Sequence, residues 1–254
     1  MATLISWCDE TWNPTTGCSR VSDGCTHCYA ESLSLKFGWS KKPWTLNNAA
    51  ENVVLHPDRL RKPYGWKKPS RVFVNSMSDL FHAQVPDAFI AGVFAVMADT
   101  PQHTYQILTK RPERAATWPG PWPANIWQGT SVEDSKALTR VDAIRRCGAK
   151  TKFLSCEPLL GDLTGIDLTG IDWVIAGGES GTHLKSPADP RWMRMAWARN
   201  LRDASVRDGA AYFFKQDSGQ RTEMRPWLVE EDGSCWVWKQ YPGHLDPPQM
   251  IPRR

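Results

Sequence analysis

Three cysteines near the start of the 254-residue chain have the spacing best suited to chemistry. Cys18, Cys25 and Cys28 follow the pattern C-x6-C-x2-C, which places three thiols within eleven residues. Gly17 and Gly24 allow this loop to fold back on itself and to turn the sulfur atoms toward one centre. Because thiolate sulfur selects zinc or iron–sulfur clusters over hard cations, the loop is predicted to bind one of these two.

The number of thiols favours an iron–sulfur cluster. A structural zinc site uses four protein ligands, commonly as two pairs, and only one C-x2-C pair is obvious in this chain. A cubane cluster also has four corners, so three cysteines leave one iron open to bind a small molecule. The alternatives are zinc with His27, Cys8 or His56 as the fourth ligand, and three core thiols that bind no metal.

The composition predicts one large soluble domain. Apolar residues make up 41% of the chain, but no run approaches the roughly 18 apolar residues of a membrane span, and the first residues lack the features of a secretion signal. The protein is therefore expected to be cytoplasmic, without a membrane partner. The net charge of +4 mildly favours anionic partners. Seven cysteines, an odd number, argue against a disulfide framework.

The elements that position the thiols follow from recurring short apolar runs. Seven strands are predicted, at 4–7, 71–75, 104–108, 126–129, 152–155, 173–176 and 211–214. Helices are predicted between them, at 29–37, 86–99, 135–147 and 190–207. Alternation of strands and helices implies a parallel sheet, flat or curled into a barrel, with functional groups at the carboxyl ends of the strands.

Two segments interrupt this alternation. Residues 38–70 are rich in Trp, Lys and Pro and lack a clear strand, so they are interpreted as a flap inserted over the site. Residues 223–254 are interpreted as a C-terminal extension rather than an independent domain, with a strand of an appended hairpin at 235–238. The remaining chain, 1–222, is expected to form the main domain.

At the cysteine loop the sequence resembles the radical S-adenosylmethionine superfamily, in which three cysteines after the first barrel strand hold a [4Fe–4S] cluster. More narrowly, residues 12–18, 28–31 and 213–216 resemble a phage-encoded family of radical-SAM-like proteins. The resemblance implies an α/β fold, an incomplete parallel (β/α) barrel of about six to seven strands. The loop departs from the usual C-x3-C-x2-C spacing by three extra residues.

The resemblance also implies the activity. S-adenosylmethionine would bind the open iron, and an electron donor such as flavodoxin or ferredoxin would reduce the cluster. A 5′-deoxyadenosyl radical would then abstract hydrogen from a nucleoside or modified DNA base, with rearrangement of a hypermodified pyrimidine in phage DNA or repair of a base lesion as examples. An isomerase, a lyase or a base-modifying enzyme would all fit this scheme.

Candidate cofactor residues lie at the predicted strand ends. The superfamily's Gly-Gly-Glu segment normally follows the second strand, but here it follows the sixth. The predicted cofactor-binding residues are therefore drawn from several strand ends: Ser76, Ser78, Ser131, Glu133, Gly177, Gly178 and Glu179. The two glycines would let the backbone approach the ribose or adenine closely, although they could equally form an ordinary turn.

Three further strand-end residues are predicted to act on substrate. Cys156 could return a hydrogen atom to a carbon radical or serve as a small core residue. Glu157 and Lys215 could act as acid and base, or pair with each other. Lys110 and Arg111 could bind a phosphate or carboxylate, or form a solvated turn.

Two other functions remain open from the residues themselves. One is a non-catalytic nucleic-acid-binding protein in which zinc staples the cysteine loop. The other is a hydrolytic barrel enzyme that uses Asp79, Glu157 and Glu179, which would leave the three thiols without a purpose.

Overall fold

The computed structural model describes residue 3 and residues 5–251, which group into two compact units. The first unit comprises Met1–Thr130 and Arg146–Lys150, and the second comprises Ser131–Arg145 and Thr151–Arg254. The boundary predicted at residue 222 stays a prediction. No helix among the described residues combines the length and apolar character needed to cross a bilayer.

The first unit contains four of the parallel strands. Its elements are β1 (Glu10–Trp12), β2 (Thr15–Thr16), α1 (Tyr29–Lys36), α2 (Ala49–Asn52), β3 (Val54–Leu55), β4 (Arg71–Val74), α3 (Asp87–Asp99), β5 (Thr104–Thr109), α4 (Pro112–Ala116) and β6 (Ile126–Ser131). Strands β1, β4, β5 and β6 pair in that order and run parallel, whereas β2 and β3 form a small antiparallel pair.

The core of the first unit lies between its parallel strands and α3. Helix α3 buries Ile90, Val93, Phe94 and Met97, which recur at the i, i+3, i+4, i+7 spacing of one helix face. These side chains pack with the buried strand residues Trp12, Val72, Val74, Tyr105, Ile107 and Ile126. The helix thereby covers the strands and leaves their carboxyl ends to the loops that carry the candidate site.

The second unit contains the other three parallel strands and the C-terminal segment. Its elements are α5 (Thr139–Arg145), β7 (Thr151–Cys156), β8 (Trp173–Gly177), α6 (Met195–Asp208), β9 (Ala211–Gln216), β10 (Leu228–Val229), β11 (Cys235–Val237) and β12 (Gln249–Ile251). Strands β7, β8 and β9 run parallel, and β10, β11 and β12 form an antiparallel sheet. Every residue of β8 is buried, as expected for a parallel strand covered on both faces.

The predicted fold class is confirmed. In the described residues, four parallel strands of the first unit and three of the second follow one another in chain order with helices between them, in agreement with an incomplete α/β barrel of about six to seven strands. Six of the predicted strands match observed strands closely, and the extension contains the strand expected near 235–238.

The prediction for the first strand was wrong. Leu4 lies outside the described residues, and Ile5 lies before a turn that the Cys8 N–H closes onto its carbonyl at 3.2 Å. The strand is β1 instead, paired with β4. The apolar side chain of Trp7 packs on Phe73, with ring centroids 4.5 Å apart, so hydrophobicity at this point marks packing and not a strand.

Two helix predictions were too long and the flap is more ordered than expected. The segment predicted as a helix at 135–147 is a 3-10 turn, Ser135–Ala137, followed by α5, and α6 begins five residues later than predicted. The segment 38–70 contains α2, β3 and three 3-10 turns.

Candidate functional site

The cysteine loop begins at a point where only glycine fits. Gly17 has φ +80, and a Cβ atom there would lie 1.8 Å from the backbone oxygen of Asn52. The Gly17 N–H donates to Met77 O at 3.0 Å. The start of the loop is therefore held between the turn after β4 and the flap, and a side chain at this residue would push these segments apart.

A buried carboxylate fixes the rest of the loop. Glu31, in the first turn of α1, is 3% exposed and accepts two hydrogen bonds from the Arg20 guanidinium, each of 2.8 Å. The same carboxylate accepts the backbone N–H of Trp44 at 2.8 Å. One acid therefore joins the loop, the helix that follows it and the flap.

The three thiols are partly buried and influence one another. Burial raises the pKa of Cys18 to about 12, and the nearby charges of Asp79, Arg111 and Cys28 also act on it. Burial likewise raises the pKa of Cys28, opposed by the backbone N–H groups of Glu31 and Ala30 that point at its sulfur. A soft metal centre that replaces the thiol protons would leave thiolate sulfurs. The N–H donors would stabilise their negative charge, as they do for thiolates at a helix N-terminus.

Arg111 and Asp79 connect Cys18 to the strand ends. Arg111 Nη1 lies 3.6 Å from Cys18 Sγ and 2.9 Å from Asp79 Oδ2. Its Nη2 donates to both the carbonyl and the hydroxyl of Ser19, at 2.9 and 3.0 Å. Arg111 was predicted to lie in a solvated turn or to bind an anion. In the structure its guanidinium instead contacts the cysteine loop and a buried acid.

The structure bears on which metal the loop could hold. Within the described residues, no group of three or more His, Cys, Asp or Glu side chains is arranged around one point as a ready metal site. The donor chemistry of three neighbouring thiols nevertheless fits an iron–sulfur cluster. It is a poorer fit to a closed zinc site, because two of the three candidate fourth ligands, Cys8 and His56, are placed elsewhere or already hydrogen-bonded.

Cys8 and His56 illustrate this. Cys8 precedes Asp9, whose N–H donates to Arg71 at the first residue of β4, whereas the cysteine loop contacts the turn beyond the last residue of that strand. Cys8 therefore lies at the opposite end of β4 from the loop. His56 Nε2 is 2.8 Å from the Thr16 hydroxyl.

Two predicted cofactor residues in the first unit hold the cysteine loop. Ser78 Oγ donates to Thr15 O and lies 2.8 Å from the Thr15 hydroxyl. Ser76 Oγ accepts the Asn13 amide at 3.1 Å. Both hydroxyls thus support the segment that leads into Cys18. Asn75, in the same turn, has a buried side-chain amide nitrogen without a hydrogen-bond partner among the described residues.

In the second unit, two predicted cofactor-binding carboxylates are already paired with arginines. Glu133 is 2% exposed and forms an ion pair of 2.8 Å with Arg140, which also donates to Ser131 O. Glu179 accepts Arg191 at 2.6 Å through both oxygens, and His183 Nε2 lies 3.1 Å away. Burial opposes ionisation of Glu179, but these hydrogen bonds outweigh it and its pKa is lowered.

The space beside the two glycines before Glu179 is occupied by protein atoms. A Cβ atom at Gly177 would lie 2.6 Å from Glu157 Oε1, and one at Gly178 would lie 2.4 Å from the backbone nitrogen of Ser218. In the structure, neighbouring protein segments approach the backbone of these glycines closely, as was predicted for a cofactor.

The residues predicted to act on substrate lie at the ends of β7 and β9. Cys156 has no exposed surface, and burial raises its pKa. Glu157 Oε1 and Lys215 Nζ form an ion pair of 3.1 Å. The ion pair is one of the two arrangements predicted for Glu157 and Lys215. Cys156 is buried as a core residue would be, and that was the alternative to its predicted role as a hydrogen donor.

Sequence reasoning missed Lys239 and Glu223 in the C-terminal segment. Lys239 bridges Phe213 of β9 in an antiparallel sense, so its side chain lies on the same face, and Nζ is 4.0 Å from the Phe213 ring centroid. Burial lowers its pKa to about 8, opposed by Glu223 and Glu157. Lys239 Nζ and Glu223 Oε1 are buried without hydrogen-bond partners among the described residues. No motif in the sequence signals the contact of Lys239 with Phe213.

The chain was compared with known proteins. A model of a family described as of unknown function matches residues 2–242. No curated protein matches the chain. It is similar to a solved cysteine-to-serine variant of spore photoproduct lyase at 13% identity and a TM-score of 0.48, over 87% of this chain and 78% of that one.

A second lyase structure, of a double variant with bound AdoMet and dinucleoside spore photoproduct, is similar at 12% identity and a TM-score of 0.42. The match covers 96% of this chain and 68% of that one. At such values the likeness supports no inference about the chemistry of this chain, which has to be argued from its own residues.

Proposed function

The chain belongs to the family whose model it matches, DUF5131, and we propose that it is a radical S-adenosylmethionine enzyme. In this proposal Cys18, Cys25 and Cys28 hold a [4Fe–4S] cluster through three of its irons. The observation that carries it is the loop itself, with three thiols in eleven residues, a glycine that cannot be replaced at its start and a buried acid that fixes its shape.

The cluster, when bound, would supply one electron to S-adenosylmethionine on its open iron and so produce a carbon radical that takes hydrogen from substrate. The chain's own part is positional. Gly17 and Glu31 hold the loop backbone, Ser76 and Ser78 tie it to the turn after β4, and the N-terminus of α1 points backbone donors at Cys28. Such positioning keeps the reacting groups close and water away.

The roles of the other predicted cofactor and catalytic residues stay predictions. Glu133 and Glu179 would contribute mainly by holding strand ends, because both are buried and paired with arginines. Glu157 and Lys215 retain a partly exposed ion pair that substrate could reach, and Cys156 would act as a hydrogen donor only after movement of its cover. The resemblance to a phage-encoded family, the cytoplasmic location and a flavodoxin or ferredoxin as electron donor also stay predictions.

For the substrate we propose a nucleoside or a DNA base. Support comes from the segment after α1, where Phe37 and Trp39 stack on each other with centroids 5.2 Å apart and are 56% and 63% exposed. The exposed residues Lys36, Lys41 and Lys42 lie beside them in the sequence. Exposed aromatic faces among basic side chains are typical of surfaces on which nucleic-acid bases stack.

Metal analysis tests the proposal. The protein would be purified without oxygen, and iron and zinc would be measured together with the visible absorption spectrum. We expect a brown protein with three to four irons per chain. Cys18→Ala should lose most of the iron, whereas Cys235→Ala, which changes a partly exposed thiol in β11, should retain it. Stoichiometric zinc without iron would overturn the proposal in favour of a zinc-stapled binding protein.

A further inference from the structure

The contacts of Arg111 divide into two groups. Nη2 is used entirely by Ser19, and Nη1 is shared between Asp79 and the sulfur of Cys18. The Arg111 and Asp79 side chains are 17% and 7% exposed. Little of the guanidinium remains for a substrate, so its function has to be sought in the groups that it already touches.

Asp79 is held as firmly as the arginine. Its Oδ1 accepts the Thr109 hydroxyl at 2.7 Å and the Phe81 N–H at 3.0 Å, and its Oδ2 accepts the Lys110 N–H at 3.2 Å. These donors come from the turn after β4, from the last residue of β5 and from the residue that follows it. The ion pair is therefore a rigid dipole with its positive end directed at the Cys18 sulfur.

A neutral thiol makes little use of such a dipole. Thiol sulfur is a weak acceptor, whereas a hydrogen bond from guanidinium to a thiolate is charge-assisted. The arrangement thus fits a sulfur that carries negative charge, as a cluster ligand does. The positive Arg111 guanidinium contacts the Cys18 sulfur, and the negative Asp79 carboxylate is bound to the same Nη1, so the two charges act on one sulfur with opposite sign.

From this geometry we propose that the Arg111–Asp79 ion pair sets the reduction potential of the cluster through Cys18, with Arg111 raising it and Asp79 lowering it. The inference rests on the proposed function. Reduction adds negative charge to the cluster and its sulfurs, and hydrogen bonds and nearby charges are among the factors that set iron–sulfur potentials. Both are positioning residues, because they act on the cluster through its cysteine ligand.

The test is a redox titration of the anaerobic, cluster-loaded full chain followed by EPR, without S-adenosylmethionine. Arg111→Gln should lower the equilibrium constant for one-electron reduction about tenfold, which corresponds to ~59 mV. Asp79→Asn should raise it by a similar factor. The ion pair of Arg114 and Asp87 provides matched controls, because neither residue has a hydrogen bond to a thiol in the part of the chain that the structure describes. Arg114→Gln and Asp87→Asn should change the constant less than twofold.

Opposite shifts of the reduction potential in the two variants would support the inference. A purely structural effect would not change direction between the loss of a positive charge and the loss of a negative one. Shifts in one direction, or none with iron content intact, would overturn the inference and leave the proposed function standing. If Arg111→Gln loses its iron, Asp79→Asn decides alone, and a potential that does not rise contradicts the inference. A wild-type protein that assembles no iron would overturn the proposed function and the inference together.

Discussion

The cysteine loop and the ends of β6 and β8 differ in what their polar groups already do. Around the loop, Glu31 and Arg20 pair with each other and with backbone, which shapes the loop but leaves the thiols to bind something else. At the strand ends, Glu133 and Glu179 have arginine partners that satisfy them fully within the protein.

This difference teaches how to recognise a prepared site. Polar residues that support a reactive group and do not neutralise it indicate function, whereas buried acid–arginine pairs that contact no reactive group indicate structure.

Gly17→Ala should cause the largest loss, about 4 kcal/mol of unfolding free energy, because a left-handed backbone conformation adds to an overlap with Asn52 O. Gly38→Ala is the matched control, since Gly38 also has positive φ but a Cβ atom there would meet nothing within 4 Å. It should cost about 1 to 2 kcal/mol. Urea unfolding measures both, and equal losses would show that Gly17 does not hold the loop.

Glu31→Gln should cost about 3 kcal/mol, because it removes a buried charge that has a guanidinium and a backbone N–H as partners. Iron content should fall with it, since the loop loses its link to α1 and the flap. Glu51→Gln changes an ion pair with Lys42 that is exposed on both sides and should cost less than about 0.5 kcal/mol. A variant at Glu31 with normal stability and iron content would contradict the proposed role.

Glu179→Gln should cost about 2 kcal/mol of stability and leave the affinity for S-adenosylmethionine within a factor of two, because Glu179 is already used by Arg191 and His183. The affinity would be measured on the cluster-loaded protein by calorimetry. Glu231→Gln, at an acid 89% exposed, serves as the control for stability. A large loss of affinity with normal stability would restore the cofactor role predicted from the sequence.

Lys239→Met should stabilise the protein at pH 7 by about 1 kcal/mol. The folded pKa is depressed by burial to about 8, below the ordinary 10.5, so folding disfavours the ammonium form. The unfolded chain binds more protons between these two values, and wild-type stability should rise with pH across that window. The difference in unfolding free energy between Lys239→Met and wild type should therefore be smaller at pH 10 than at pH 7.

The control for this prediction is Lys36→Met, at an exposed lysine whose Nζ lies 5.7 Å from the Phe37 ring centroid. Its effect on the unfolding free energy should not change between pH 7 and pH 10. A constant difference between Lys239→Met and wild type over the same range would mean that Lys239 is not held in a charge-disfavouring site.

Much of the fold could be predicted from the sequence, because apolar runs such as those in β5 and β8 reflect burial directly. The three thiols were selected by their spacing, and their role as cluster ligands stays a prediction. The first strand escaped prediction because β1 is short and mostly polar, while the apolar Trp7 before it packs outside the strand.

The site partners could not be predicted in the same way. Arg111 reaches Cys18, and Arg191 reaches Glu179, only because the fold brings distant or irregular segments together. Their role depends on which acid or sulfur each guanidinium meets, and a single sequence does not record that. The sequence predicts which polar residues follow the strands. Whether an acid at a strand end is available to a ligand depends on its arginine partner, which the sequence does not predict.

The most direct test of the central claim is cleavage of S-adenosylmethionine by the reduced protein. The anaerobic, cluster-loaded chain would be reduced with dithionite, mixed with S-adenosylmethionine and analysed for 5′-deoxyadenosine, with Cys18→Ala and Cys235→Ala alongside. If the chain is a radical S-adenosylmethionine enzyme, wild type and Cys235→Ala should produce 5′-deoxyadenosine and Cys18→Ala should produce none. A wild-type protein with a full cluster and no 5′-deoxyadenosine would contradict that claim.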